Sequence, residues 1–284
     1  MFGRKAELSR IKDAYQRSIS GECGLVTISG PSGSGKSLLA AEFGRYVCAG
    51  GGIFLSGKFD LLKQGKPFSA LASAFDQYCA ILLNDDKLAS TKEEVARQLR
   101  SVLGMETYHL TKIIPNLATI LGSELSVLEH SEDCINAQKR VQYLLCQFVE
   151  VISISSLAPI TLFLDDLQWA DAVSIAAVNQ LMFAAGPSAH KNFFFLGCSR
   201  ERDSTTKLLP GVEFLIIGGI NVKLGCMDEY TLNTMISETL CLSPRLTRTF
   251  SSLIYVKTKG NPLFVSRLLR SLNKEGLLRP SLSQ

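Results

Sequence analysis

The sequence predicts an α/β fold, in which a parallel sheet lies between layers of helices and a small helical unit follows. Short apolar segments rich in β-branched residues alternate with helical patterns as far as about residue 226. Such alternation favours a parallel sheet with right-handed crossovers. From about Asp228 the pattern is helical only. We therefore divide the chain into an α/β domain, residues 1–226, and a helical domain, residues 227–284.

The α/β domain is predicted to carry a long helical stretch, about residues 67–155, between its second and third strands. Strands are expected at residues 24–29, 53–59, 160–164, 193–198 and 212–217. Helices are expected at residues 7–19, from 38, at 69–83, 92–102 and 135–152, and from about 173. Apolar residues in the 135–152 segment recur at helical spacing, which is typical of packing between helices and not of a ligand site.

Composition is typical of a globular protein of the cytoplasm or nucleus. With 284 residues, 46% of them hydrophobic and 20% charged, the chain can bury a large core. The longest apolar candidate for a membrane span, residues 151–164, is too short and is interrupted by serines and a proline. The N-terminus does not resemble a signal peptide. The eight cysteines form no CxxC pair and the three histidines have no metal-ligand spacing, so we expect reduced thiols.

The most specific motif lies between the first strand and the helix that follows it. Its eight residues are Gly30, Pro31, Ser32, Gly33, Ser34, Gly35, Lys36 and Ser37. Glycines let the backbone curl around an anion with its N–H groups pointing inward, and the helix N-terminus adds to the attraction. Lys36 is predicted to reach the β- and γ-phosphates, and the Ser37 hydroxyl to bind Mg²⁺. Leu38, the next residue, completes the predicted contact set; the alternative interpretation is a Gly/Ser turn between core elements.

Two adjacent acids follow the apolar strand at residues 160–164. A strand buried on both faces presents its first polar groups at its carboxyl end, where open α/β sheets bind ligands. Asp165 is predicted to bind Mg²⁺, and Asp166 to orient or deprotonate the attacking water. Because Asp166 is one methylene shorter than glutamate, we expect slow hydrolysis. By themselves, two such acids are more often a solvated turn or a helix cap.

These motifs together resemble the signal-transduction (STAND-like) branch of AAA-type P-loop ATPases. The resemblance rests on residues 2–8, the phosphate loop, residues 164–171, residues 197–200 and residues 259–264, in that order along the chain. It implies a P-loop NTPase fold with three α/β/α layers, the strand order 5-1-4-3-2 and a C-terminal helical lid. It also implies ATP and ADP, with Mg²⁺, as ligands.

The resemblance assigns three further residues to the nucleotide. Arg4 would lie near the adenine and ribose, Arg200 would sense the γ-phosphate, and Pro262 would contact the nucleotide from the lid. The residues themselves leave simpler alternatives open. Arg4 could be a surface residue, Arg200 lies in a mixed-charge run typical of solvated loops, and Asn261 with Pro262 is a helix start in any case.

Three other features have no assigned chemistry at this point. Residues 57–60 and 114–117 also look like segments of the family. Trp169 is the only tryptophan and follows the acids closely. A single large aromatic is usually part of the core.

The sequence leaves more than one function open. We favour a Mg-ATP-binding regulatory module, a slow ATPase that acts as a nucleotide-dependent switch and passes its state to a protein partner or an appended effector domain. The alternative is a DNA-associated ATPase of the origin-binding or clamp-loader type, because residues 245–279 carry a net charge of +7 while the whole chain carries +4. A metabolic kinase fits the motifs less well. The oligomeric state and any arginine supplied in trans stay open.

Overall fold

The computed structural model describes residues 2–22, 24–61, 66–122, 134–183, 192–201 and 209–278. Across these residues the centre is a parallel sheet. Its strands are β1 (Leu25–Gly30), β2 (Ile53–Lys58), β3 (Ile160–Asp165), β4 (Phe193–Arg200) and β5 (Ile220–Lys223). Their order in space is β2-β3-β4-β1-β5, with every neighbouring pair parallel. The predicted fold class and strand order are confirmed.

Helices cover both faces of the sheet and continue beyond it. In chain order they are α1 (Lys5–Ile19), α2 (Lys36–Ala49), α3 (Ser69–Asn84), α4 (Ala89–Leu103), α5 (Thr107–Thr111), α6 (Pro115–Leu121), α7 (Cys134–Ser155), α8 (Ala172–Phe183), α9 (Pro210–Gly218), α10 (Glu229–Leu240), α11 (Pro244–Thr258) and α12 (Pro262–Lys274). Among these described helices, none has the length and apolar character needed to cross a bilayer.

Alternation along the strands divides the core into two layers. On β4, Phe194 and Leu196 belong to a buried cluster with residues of α1 and α2, whereas Phe193 and Phe195 belong to a larger cluster with α3, α7, α8 and α9. Successive strand side chains point to opposite faces, so a strand apolar at every position needs helices on both sides. The three-layer arrangement follows from this pattern.

One predicted strand is wrong. The segment at residues 212–217 is part of α9, and the last strand is β5. Pro210 stands at the first helical position, and Val212 and Leu215, three residues apart, face the interior. The side chain of Ile217 is exposed. A short, continuous apolar run does not distinguish a strand from a helix by periodicity, which explains the error.

The edge strand β2 is paired by a side chain. The Gln77 amide on α3 accepts a hydrogen bond from the Ser56 main-chain N–H (3.1 Å) and donates one to the Ser56 carbonyl (2.7 Å). It thereby occupies the donor and acceptor that a further strand would take up.

The segment at residues 114–117 has a structural role. It forms the start of α6, with Pro115 at the first helical position. The Asp76 carboxylate on α3 accepts hydrogen bonds from the Asn116 main-chain N–H (2.8 Å) and the Asn116 side-chain amide (2.9 Å). Asp76 therefore fastens α6 to α3 by satisfying a free donor at the helix N-terminus.

Helices α10, α11 and α12, which we call the lid, enclose a buried cluster of their own. Its members are Met227, Leu232, Ile236, Ile254, Val265 and Leu269. The helical character predicted after Asp228 agrees with these three helices. The division into domains at residue 226 stays a prediction.

Replacing Asp76 with alanine is expected to reduce the free energy of unfolding by about 1–2 kcal/mol, because two hydrogen bonds at the start of α6 are lost. Chemical denaturation measures the change. Asp85→Ala is the matched control: Asp85 also accepts a main-chain N–H, from Lys87, but at an exposed position. A loss no larger for Asp76→Ala than for the control would contradict the role given to Asp76.

Candidate functional site

The phosphate loop connects β1 to α2 at the carboxyl edge of the sheet. Gly33 and Gly35 have φ angles of 78° and 97°, a region that disfavours other residues. A Cβ atom on Gly33 would also lie 2.6 Å from the Asn261 side-chain oxygen. Glycine at position 33 is therefore required twice, by the backbone conformation and by the approach of the lid.

Lys36 lies at the first position of α2 with only 8% of its surface exposed. Its ammonium donates hydrogen bonds to the carbonyls of Gly30 (2.8 Å) and Pro31 (2.9 Å). Burial lowers the pKa of Lys36 below its ordinary value, and the nearby charges of Asp165 and Asp166 act in the opposite direction. A buried cation at the N-terminus of a helix is suited to bind an anion.

Ser37 and Asp165 are adjacent although 128 residues separate them. The Ser37 hydroxyl donates a hydrogen bond to Asp165 Oδ2 at 2.8 Å, and Asp165 is almost fully buried. A hydroxyl and a carboxylate are oxygen ligands that Mg²⁺ accepts beside phosphates, so these residues fit that ion. Within the described parts of the chain, no cluster of three or more His, Cys, Asp or Glu could hold a metal. Mg²⁺ here would take its remaining ligands from phosphate and water.

Asp166 has a left-handed backbone, with φ of 57°, and both of its carboxylate oxygens are engaged. Oδ1 accepts a hydrogen bond from the Gln168 amide at 2.7 Å, and Oδ2 lies 3.0 Å from the Lys58 ammonium. The hydrogen bond to Asp166 is the main cause that raises the pKa of Lys58.

Lys58 is thus a site residue that sequence reasoning left without a role. It ends β2, and the parallel register places it beside Asp165 at the start of the acidic pair. No short-range pattern links residue 58 to residue 166. The contact could have been predicted only from the strand order, which places the end of β2 at Lys58 beside the end of β3.

Arg200 ends β4 and faces the same cavity as Asp166 and the phosphate loop. Its main-chain N–H donates to the side-chain amide oxygen of Gln168 at 3.0 Å, and its guanidinium carbon lies 5.5 Å from the centre of the Trp169 ring. A guanidinium at this distance from an indole face is attracted to the ring. Trp169 is half-buried, so it belongs to the site as well as to the adjoining core.

The lid contacts the phosphate loop directly. The Asn261 side-chain amide donates to the Ser32 carbonyl at 2.8 Å, and the Leu263 main-chain N–H donates to the Gly33 carbonyl at 3.3 Å. The Asn261 side-chain oxygen accepts from the N–H groups of Leu263 and Phe264, which caps α12. The sequence predicted the cap, but the contact with Ser32 spans 229 residues and has no local signal.

A cavity of about 370 Å³ brings most of the predicted residues together. Its lining residues are Ser32, Gly33, Gly35, Lys36, Ser37, Leu38, Asp166, Arg200, Pro262, Leu263 and Ser266. Leu263 and Ser266, one helical turn of α12, were not predicted. The lining thus combines the phosphate loop, the strand ends and the lid.

Four predicted residues lie outside this lining. Gly30 and Ser34 are part of the loop, and Asp165 lies behind Ser37. Arg4 pairs with Glu7 at 3.0 Å and donates to the Gly225 carbonyl, so it joins α1 to the segment before the lid. Its predicted contact with adenine and ribose stays a prediction.

The fold is shared with solved structures at low identity. The Aeropyrum pernix ORC1 protein in complex with DNA superposes with a TM-score of 0.53 at 13% identity, covering 100% of this chain and 63% of that one. The Aeropyrum pernix ORC2 protein, in ADPNP-ADP complexes, gives 0.51 at 14%, covering 100% and 66%. The E. coli MS115-1 HORMA:CdnC:Trip13 complex gives 0.52 at 10%, covering 89% and 74%. These likenesses concern the fold alone.

Sequence comparison gives a relative and a family. Hybrid signal transduction histidine kinase G of Dictyostelium discoideum is 25% identical over 98% of this chain, which spans only 10% of that protein. Residues 1–195 match the family described as AAA ATPase domain. Since this match covers more than half of the chain and includes the phosphate loop and the acidic pair, the chain belongs to the AAA ATPase domain family.

Proposed function

We propose that this chain is a Mg-ATP-binding regulatory ATPase that hydrolyses ATP slowly and acts as a nucleotide-dependent switch in signalling. The observation that carries the proposal is the pair of hydrogen bonds from the start of α12 to the carbonyls of Ser32 and Gly33. A phosphate group that moves or orders the loop therefore acts on the first turn of α12. Order or displacement of an element by a terminal phosphate is an established form of switching.

The loop, Lys36 and the Ser37–Asp165 pair would hold the triphosphate and its Mg²⁺. The main-chain N–H groups of the loop and the buried ammonium would bind phosphate oxygens, while the hydroxyl and carboxylate would bind the metal. When bound, Mg²⁺ neutralises the charge that develops on the phosphates. Arg200 lines the same cavity and is suited to detect a third phosphate.

Slow turnover follows from the surroundings of Asp166. To position a water, its carboxylate needs an accepting lone pair directed at the cavity. Lys58 already pairs with one of its oxygens, and the side chain is shorter than that of glutamate. Asp166 therefore binds a water less well than an unpaired acid would.

A signalling role is supported by the relative among the histidine kinases, of which this chain matches one tenth. We propose that the state of the lid is read by a protein partner or by an effector domain joined to the lid. Six cysteines in the described part of the chain are free thiols, namely Cys48, Cys79, Cys146, Cys198, Cys226 and Cys241, which is consistent with the reducing cytoplasm or nucleus.

A second candidate function, a DNA-associated ATPase, is favoured by the charge of the lid. Seven basic residues of the lid have exposed positions: Arg245, Arg248, Lys257, Lys259, Arg267, Arg270 and Lys274. A structural neighbour of the same fold is described in complex with DNA. Basic residues on exposed helix faces are also common in proteins that bind no nucleic acid, so this candidate ranks second.

The switch is tested by limited proteolysis of the lid in the absence of nucleotide, with ADP and with a non-hydrolysable ATP analogue. We expect different cleavage rates in the three states, because the loop contacts the start of α12. Lys36→Ala removes the phosphate-binding cation and is expected to give one rate throughout and to co-purify without nucleotide. Identical cleavage of the unmodified protein in all three states would refute the switch.

Asn261→Asp separates the two roles of Asn261. An aspartate still caps α12, but it cannot donate to the Ser32 carbonyl and adds a negative charge beside the phosphates. We expect ATP affinity to fall about 10-fold, because a neutral hydrogen bond to the loop is lost and a negative charge is placed beside the phosphates, while thermal stability is retained. Asp228→Asn, at the exposed cap of α10, is the control that changes a lid cap away from the loop. Equal nucleotide affinities for Asn261→Asp and the unmodified protein would contradict the assigned contact.

The DNA-associated alternative is tested by titrating the protein with duplex DNA at low and high salt. Because the exposed lid charges would bind phosphates, affinity should fall steeply as salt rises. A variant with Arg245, Arg248 and Lys257 changed to glutamine should bind less tightly at every salt concentration. Absence of binding at low salt would eliminate the alternative and leave the switch unaffected.

A further inference from the structure

We infer that Gln168 is a positioning residue, which ties the carboxylate of Asp166 to the strand that carries Arg200; the inference rests on the proposed ATP hydrolysis. One side-chain amide makes both contacts. Its nitrogen donates to Asp166 Oδ1 at 2.7 Å, and its oxygen accepts the main-chain N–H of Arg200 at 3.0 Å. The two partners require opposite ends of the amide, so its orientation is fixed.

The direction of the Arg200 N–H follows from the strand ladder. Phe195 on β4 and Glu201, the residue after this strand, donate their main-chain N–H groups to the carbonyls of Gly24 and Gly30 on the β1 side. Residues at even positions of β4 therefore point their N–H groups to the opposite side, toward β3. Arg200 is one of them.

The β3 strand does not supply an acceptor at that level. The register between β3 and β4 ends at the pair Leu164 and Gly197. The side-chain oxygen of Gln168 takes the position of the next main-chain acceptor. It continues the hydrogen bonding of β4 beyond the point where β3 ends. If the Arg200 N–H had no acceptor here, its desolvation would cost free energy. The bond to Gln168 avoids this cost and so stabilises the end of β4.

The turn after β3 brings Gln168 back over the acid. Asp166 has its left-handed backbone, and the Trp169 N–H donates to the Asp166 carbonyl at 2.9 Å, which closes a turn of 3₁₀ helix at Leu167–Trp169. A non-glycine residue keeps this conformation only where its surroundings hold it. The two bonds of the Gln168 amide are part of those surroundings.

The consequence for the reaction is a fixed relation between two groups that face the terminal phosphate. Gln168 connects Asp166 to β4, while Lys58 connects the other carboxylate oxygen to β2. A displacement of Arg200 by a third phosphate is therefore felt at Asp166 through one amide. Gln168 contacts neither phosphate nor water in this role; it acts through the acid.

Gln168→Glu tests the inference, because a carboxylate of the same length still accepts from the Arg200 N–H but no longer donates to Asp166. We expect kcat for ATP hydrolysis to fall about 10-fold, part of the contribution of a well-placed acid or base, while ADP affinity stays within about twofold. Gln142→Glu is the matched control. Gln142 on α7 donates a side-chain amide hydrogen bond to Gln180 on α8, so the variant makes the same chemical change away from the site. Asp166→Asn gives the rate without the acid.

A kcat for Gln168→Glu within about twofold of the unmodified protein would overturn the inference, as would an equal loss of ADP affinity. If the unmodified protein hydrolyses ATP no faster than Asp166→Asn, the proposed hydrolysis fails, and Trp169 emission decides the role of Gln168. We then expect a difference in emission between the ATP analogue and ADP that Gln168→Glu reduces by at least about half, since Arg200 contacts the ring. An unchanged difference, or none in the unmodified protein, would overturn the inference.

Discussion

The parallel pairing of β4 with β1 on one side and β3 on the other is the constraint on which the rest of the structure depends. It brings three carboxyl strand ends to one edge, and with them the phosphate loop, the acidic pair and Arg200. Strands apolar on both faces leave the polar groups no other place than these ends. The layers of helices then follow from the need to cover both faces.

Around this edge, the side chains are joined by a small number of bonds that cross between elements. Ser37 joins α2 to β3, Lys58 joins β2 to Asp166, and Gln168 joins Asp166 to β4. Asn261 adds the lid to the phosphate loop. Each of these side chains holds two elements together, and each either lines the cavity or contacts a residue that lines it. The contacts that position the side chains of the site therefore also hold the domain together.

The sequence predicted the parts that local chemistry determines. The glycine-rich loop, the strand ending in Asp165 and the cap at Asn261 each depend on residues close together in the chain, and the strand order followed from the resemblance. The contacts of Lys58 and Gln168 with Asp166 arise where separate strands and a turn meet, so no local pattern predicts them. The strand prediction at residues 212–217, which lie in α9, was wrong for a different reason: a short apolar run fits a strand as well as a helix.

The lid contacts the phosphate loop through the main chain of the loop. Both acceptors, at Ser32 and Gly33, are carbonyl groups, so the identity of the side chain at position 32 does not enter the contact. Position 33 is different, because any Cβ there would meet Asn261. The loop thus combines a position tolerant of substitution with one restricted to glycine. A substitution at position 32 leaves the attachment of the lid unchanged, whereas a substitution at position 33 is excluded by steric overlap with Asn261.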